Sequence, residues 1–84
     1  MRYDEHLRAL TLADGGDWDG AHQLIQRHED AMANWIHANL HREEGDHGNA
    51  AFWYSRARQR AGKGSCAEER ATIRQSLLKQ QAGH

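Results

Sequence analysis

No proline interrupts this chain, cysteine occurs once, and no apolar run approaches the roughly 18 residues that a membrane span needs. Each scarcity excludes something. Without proline, and with β-branched side chains confined to Thr11, Ile25, Ile36, Thr72 and Ile73, strands have little to build on. Alanine, Leu, Gln, Glu and Arg predominate between glycines, so the expected class is all-α. Cys66 has no partner for a disulfide, which fits a reducing compartment and weighs against a stapled secreted mini-protein. The N-terminal MRYDEHLRAL carries charge where a signal peptide needs an apolar centre. The expectation is a soluble, cytoplasmic protein with no membrane contact. Its 84 residues allow one domain and one small core. A chain this short buries only roughly 60–65% of its unfolded surface, so its stability margin is narrow.

Charge is near balance overall but divided along the chain. Residues 1–55 hold four Arg and no Lys against ten Asp and Glu, a net of −6. Residues 56–84 hold seven Lys and Arg against Glu68 and Glu69, a net of +5. Such polarity can steer a charged partner or favour self-association, although helix faces can also differ in sign without consequence.

Glycines at 15–16, 45, 48, 62 and 64 mark the expected helix ends. A first helix spans about Asp4 to Ala13, with Leu7, Leu10 and Tyr3 inward. Asp17 caps a second, which places Ala21, Leu24, Ile25 and His28 on one face. A third runs from about Asp30 to Glu44, with Met32, Trp35, Ile36, Asn39 and Leu40 as its stripe. Asp46 caps a fourth, with Ala50, Trp53, Tyr54, Ala57 and Ala61 inward. After a flexible Gly62-Lys63-Gly64 joint, Ser65-Cys66-Ala67-Glu68 is a capping box for a fifth helix reaching about Ala82. Cys66, Ile73, Leu77 and Leu78 form its thin apolar stripe, which suits a lid packed by one face.

One pattern occurs twice. Gly16-Asp17-Trp18-Asp19-Gly20-Ala21 aligns with Gly45-Asp46-His47-Gly48-Asn49-Ala50, a period of 29 residues. Glycine ends one helix, aspartate starts the next, and alanine lets the two approach closely. These residues resemble a tetratricopeptide (TPR) or Sel1-type helical repeat. Gly45, Asp46, Ala50, Tyr54 and Ala57 fall at the family's turn and second-helix spacing, and Ala50-x-x-Trp53-Tyr54-x-Arg56-Ala57 is similar to the Sel1 second helix. The first copy departs at Ile25 and His28, the period is shorter than usual, and the closing proline is missing. The resemblance implies two helix-turn-helix hairpins, about residues 4–28 and 30–61, plus a C-terminal capping helix at about 65–82. The stretch WIHANLHREEGDHGNAAFWY also resembles short uncharacterised bacterial proteins with a similar WIHA, LHR, EGD, NA and WY series, a group that brings no activity with it.

Candidate chemistry centres on the third helix. His37 and His41 are four residues apart and share a face, with Glu44 at the next turn, so a Zn²⁺ site on His37, His41 and Glu44 is one reading. His47 is an alternative third ligand. Against it, there is no HExxH and no second cysteine, and two solvated or ring-stacked histidines explain the spacing as well. Cys66 lies near a helix start, where a dipole can activate a thiol, but nothing sets a histidine beside it. Glu43 and Glu44 point to different sides of the helix and make no acid/base pair, and no catalytic residue is assigned. A basic stripe of Arg56, Arg58, Arg60, Lys63, Arg70, Arg74 and Lys79 could meet phosphates, but the acidic first half disfavours nucleic acid.

The leading expectation is therefore a non-catalytic interaction module without a cofactor. Its second hairpin would bind a protein or peptide segment, or a second copy in a homodimer, through Trp35, His37, His41, Arg42, Trp53 and Tyr54. Trp35 and Trp18 are expected mainly to pack, Trp18 against the preceding helix. Trp53 and Tyr54 stand about 100° apart on a helix and hardly both point at the same core centre, so one of the pair is available to line the hairpin groove.

Overall fold

The structure, a computed structural model, describes residues 2–82. Among them lie five α-helices and no strand: α1 (Asp4–Asp14), α2 (Trp18–Ile25), α3 (Ala31–Glu43), α4 (His47–Ala57) and α5 (Cys66–Ala82). Among the described residues no helix is long and apolar enough to cross a membrane.

The two Gly-Asp turns are built alike. Gly16 and Gly45 take φ of +89° and +85°, a region where a side chain is strained and glycine is not. The next amide reaches back five residues, Asp17 N–H to the Leu12 carbonyl at 2.8 Å and Asp46 N–H to the His41 carbonyl at 2.9 Å. That is a Schellman-type stop. Asp17 and Asp46 then cap the following helices in nearly the same backbone conformation, φ −91°, ψ 74° and φ −90°, ψ 77°. Their side chains accept from the Gly20 and Asn49 amides. Asp30 caps α3 by accepting from Ala33, and Ser65 and Glu68 exchange the reciprocal bonds of a capping box at the start of α5.

Helix α3 is the hub. It packs against each of the other four, so it buries residues on nearly every side, from Met32 through His41 with Trp35 only partly exposed. Leu10, Ile25, Ile36, Leu40, Ile73 and Leu77 are its largest fully buried apolar partners or members. Each contributes roughly 1.5–3 kcal/mol relative to exposure. A second, smaller cluster joins Ala38 of α3 to Ala50 and Tyr54 of α4, with Trp35 and Trp53 packed on it. The small Ala38 and Ala50 allow α3 and α4 to close on one another.

Two boundaries and one buried stripe differ from the sequence reading. Helix α2 ends at Ile25, so His28 leaves the helical face and bonds Glu5 at 2.7 Å. Helix α4 ends at Ala57 and not near Gly62, because Arg58 itself adopts the left-handed conformation at φ 59°. The Gln59 amide closes that stop on the Tyr54 carbonyl, which leaves Ala61 outside the helix. On α5 the buried stripe is Glu69, Arg70, Ile73 and Leu77, while Leu78 is exposed. Helix α5 lies against α1 and α3 and meets α4 through the Tyr54–Glu69 contact.

Candidate functional site

The residues singled out in the sequence divide into two groups on opposite flanks of α3. On one flank His37 and His41, one turn apart, stack their rings at 4.9 Å. Trp53 of α4 covers His37 face to face at 3.9 Å and 11°. Helix α2 supplies a matching pair one turn apart, Trp18 and His22, stacked at 4.7 Å and 10°. The His22 ring meets His37 and His41 edge-on at 4.8 and 5.3 Å, and its Nε2 lies 3.1 Å from Nε2 of His37. Nδ1 of His41 is 2.6 Å from the Glu44 carboxylate.

The result is a run of aromatic rings, Trp18, His22, His37 and Trp53, with His41 against its middle. His37 and His41 are only 6% and 7% exposed, whereas His22 and Trp53 are half-buried. Burial, reinforced by His22 and His41, pushes the His37 imidazole down to about 4. His22 is also shifted down, again chiefly by burial and then by His41. At neutral pH both rings are therefore uncharged and can offer a nitrogen lone pair.

Trp18 packs against the main core cluster, to which α1 contributes Ala9, Leu10 and Ala13. Its indole N–H donates to the Leu40 carbonyl of α3 at 2.7 Å, fixing the α2 start against α3. His22 was missed by the sequence reading because it flanks the Ala21–Leu24–Ile25 stripe. Its signal was the Trp18-x-x-x-His22 spacing, which repeats that of His37 and His41.

On the other flank Arg42, Tyr54 and Trp35 converge on Glu69, a carboxylate only 5% exposed. The Tyr54 hydroxyl donates to it at 2.7 Å, Asn39 Nδ2 at 2.8 Å, Arg42 Nη1 at 3.3 Å and the Trp35 indole at 3.4 Å. Both carboxylate oxygens are engaged, so Glu69 is a clasp joining α3, α4 and α5. The Gly62–Gly64 segment belongs to the clasp. Arg42 Nη2 donates to the Gly64 carbonyl, and Gly62 packs so closely that an added Cβ would lie 2.5 Å from Glu69 Oε2. Neighbouring Arg70 pairs with Asp14 at 2.7 Å and with Glu43, and Arg74 reaches Asp14 at 3.0 Å. Burial pushes the Cys66 thiol up, away from the thiolate a nucleophile needs.

Outward from Trp53, α4 presents Phe52, 53% exposed, with its ring edge-on to Trp53 at 5.1 Å. The Arg56 guanidinium lies 5.6 and 5.5 Å from the two ring centres. Arg58, Arg60 and Lys63 follow, all exposed, and among the described residues none of these four cations forms a salt bridge. No protein-family model, curated protein or solved structure matches the chain.

Proposed function

We propose that the protein is a small helical interaction module whose α4 face docks an acidic protein segment bearing an apolar anchor. The observation that carries this reading is the exposed Phe52, set against Trp53 and flanked by Arg56, on the outward side of the α3–α4 pair. Aromatic and arginine side chains are the usual anchors of such contacts, since they bury large areas at small entropic loss. Arg56, Arg58, Arg60 and Lys63 supply positive potential for carboxylates on the partner. Arg70 and Arg74 are occupied by Asp14 and Glu43, which shortens the basic stripe available to nucleic acid.

In this reading α1–α2 and α3–α4 are two TPR/Sel1-like helix-turn-helix units and α5 is the cap, supported by the matched Gly16-Asp17 and Gly45-Asp46 turns. We place it in the cytoplasm, where the lone Cys66 stays reduced. Of the six residues expected to bind, Trp53 is the one beside the exposed patch. Trp35, Arg42 and Tyr54 hold the Glu69 clasp, while His37 stacks on Trp53 with His41 beside it.

The test is capture from the cells that make it, comparing the native chain with Phe52→Ser/Arg56→Glu. Expected is a partner held at low salt, lost with the variant, and mapped to an acidic segment by peptide truncation. Equal retention by both proteins refutes the face. Sedimentation of each protein alone identifies a second copy as the occupant, which would overturn the separate-partner reading.

A further inference from the structure

We propose that His22, His37 and His41 form a transition-metal site that takes a Zn²⁺-class divalent ion on three imidazole nitrogens. The inference rests on a different observation from the docking face and stands without it.

Helices α2 and α3 bring the three side chains together so that one ligand nitrogen of each lies within 4.8 Å of the others. A tetrahedral ion with Zn–N bonds of about 2.0–2.1 Å requires ligand nitrogens about 3.3 Å apart. The His22–His37 separation of 3.1 Å already meets that edge, and the two remaining edges both run to His41, so a small movement of that one ring closes them. Without an ion, the facing Nε2 atoms of His22 and His37 satisfy one another only if one ring donates and the other accepts. An ion accepts lone pairs from all three rings at once.

The surroundings are those a metal histidine needs. A ligating imidazole commonly donates its second nitrogen to a carboxylate, which fixes the tautomer and strengthens the ligand. Glu44 is so placed at Nδ1 of His41, leaving Nε2 for the ion. Glu44 thus becomes a positioning residue, and His22 takes the ligand role assigned to it from the sequence. Trp18 and Trp53 stack on the rings of His22 and His37 and restrict their rotation. Imidazole donors select Zn²⁺, Cu²⁺, Ni²⁺ or Co²⁺ over Mg²⁺ and Ca²⁺, which prefer oxygen. Three protein ligands leave a fourth position for water or an outside ligand.

Two other groupings are weaker. In His6, His28 and Asp30 the donors are committed in pairs, His6 Nε2 to both Asp30 oxygens and His28 to Glu5, while His6 Nδ1 lacks the partner a ligating ring would use. In His41, Glu44 and Asp46 the aspartate is occupied in capping α4.

Tag-free protein stripped with EDTA is titrated with ZnCl₂ by calorimetry and tryptophan fluorescence, and with CoCl₂ by visible absorption. Expected are one ion per chain, a fluorescence change from Trp18 and Trp53, and the intense d–d bands of tetrahedral Co²⁺. His22→Ala, half-buried and therefore the variant that keeps the fold by circular dichroism, should bind at least 100-fold more weakly. Glu44→Gln should weaken binding about 10- to 100-fold, and the exposed His47→Ala should leave it unchanged. Absence of binding overturns the proposal. So does undiminished binding by His22→Ala, or a weak octahedral Co²⁺ spectrum.

Discussion

Replacing Tyr54 by phenylalanine removes a single hydroxyl from the Glu69 clasp and leaves the ring in place. That hydroxyl is nearly inaccessible and donates to a buried carboxylate at 2.7 Å. A hydrogen bond to a charged group contributes about 1.5–3 kcal/mol net. Glu69 retains Asn39, Arg42 and Trp35, so it is weakened but not orphaned, and a loss of about 2 kcal/mol follows. Titration provides a separate signature of the same buried hydroxyl. Burial, then the bond to Glu69, pushes the Tyr54 phenol from 10.0 up to about 12. The folded chain therefore holds a proton that the unfolded chain releases between those values. Its contribution is complete below pH 10 and is lost as pH rises towards 12; two units correspond to about 3 kcal/mol. In a domain of this size 1 kcal/mol moves Tm by roughly 4–8 °C, so Tyr54→Phe should lower Tm by about 8–16 °C. Urea unfolding at pH 7 should show a shifted midpoint with an unchanged slope. A Tm within 2 °C of the native protein would refute the clasp.

Other consequences follow from single sites. In EDTA-treated protein, His37 is shifted from 6.5 to about 4, so unfolded chains bind the proton first as pH falls. Stability should be full above pH 6.5 and decline by about 3 kcal/mol towards pH 4, measured by urea melts and flattened in His37→Gln. Gly62→Ala would set a Cβ 2.5 Å from Glu69 Oε2 and 3.0 Å from Arg42 Nη1, and should cost about 1–3 kcal/mol in thermal melts. Gly48→Ala, on α4 with open space around the added methyl, should instead gain up to about 1 kcal/mol. Equal effects at the two glycines would contradict the packing described for residue 62.

The helices were legible because their ends carry strong local chemistry. Gly16-Asp17, Gly45-Asp46, Asp30 and the Ser65–Glu68 box each satisfy backbone groups within a few residues, so spacing alone locates them. The end of α4 was not, since Arg58 takes a conformation that sequence assigns to glycine. Glu69 looked like a surface residue of a polar helix. Its position one turn before Ile73 was the available signal, but its four donors come from α3 and α4, and only tertiary packing assembles them. The candidate site was half legible for the same reason. His37 and His41 share a helix and can be paired by counting, whereas His22 joins them from α2 across a turn and a link. Periodicity also understated α3, which is surrounded and so buries more than one stripe.

The most direct measurement is a long-range ¹H–¹⁵N spectrum of the imidazoles during addition of one equivalent of Zn²⁺ to the stripped protein. The account predicts that His22, His37 and His41 move together to metal-bound nitrogen shifts, that Nδ1 of His41 stays protonated towards Glu44, and that His6, His28 and His47 hold their positions. Shifts confined to His6 and His28, or no change in any ring, would contradict it.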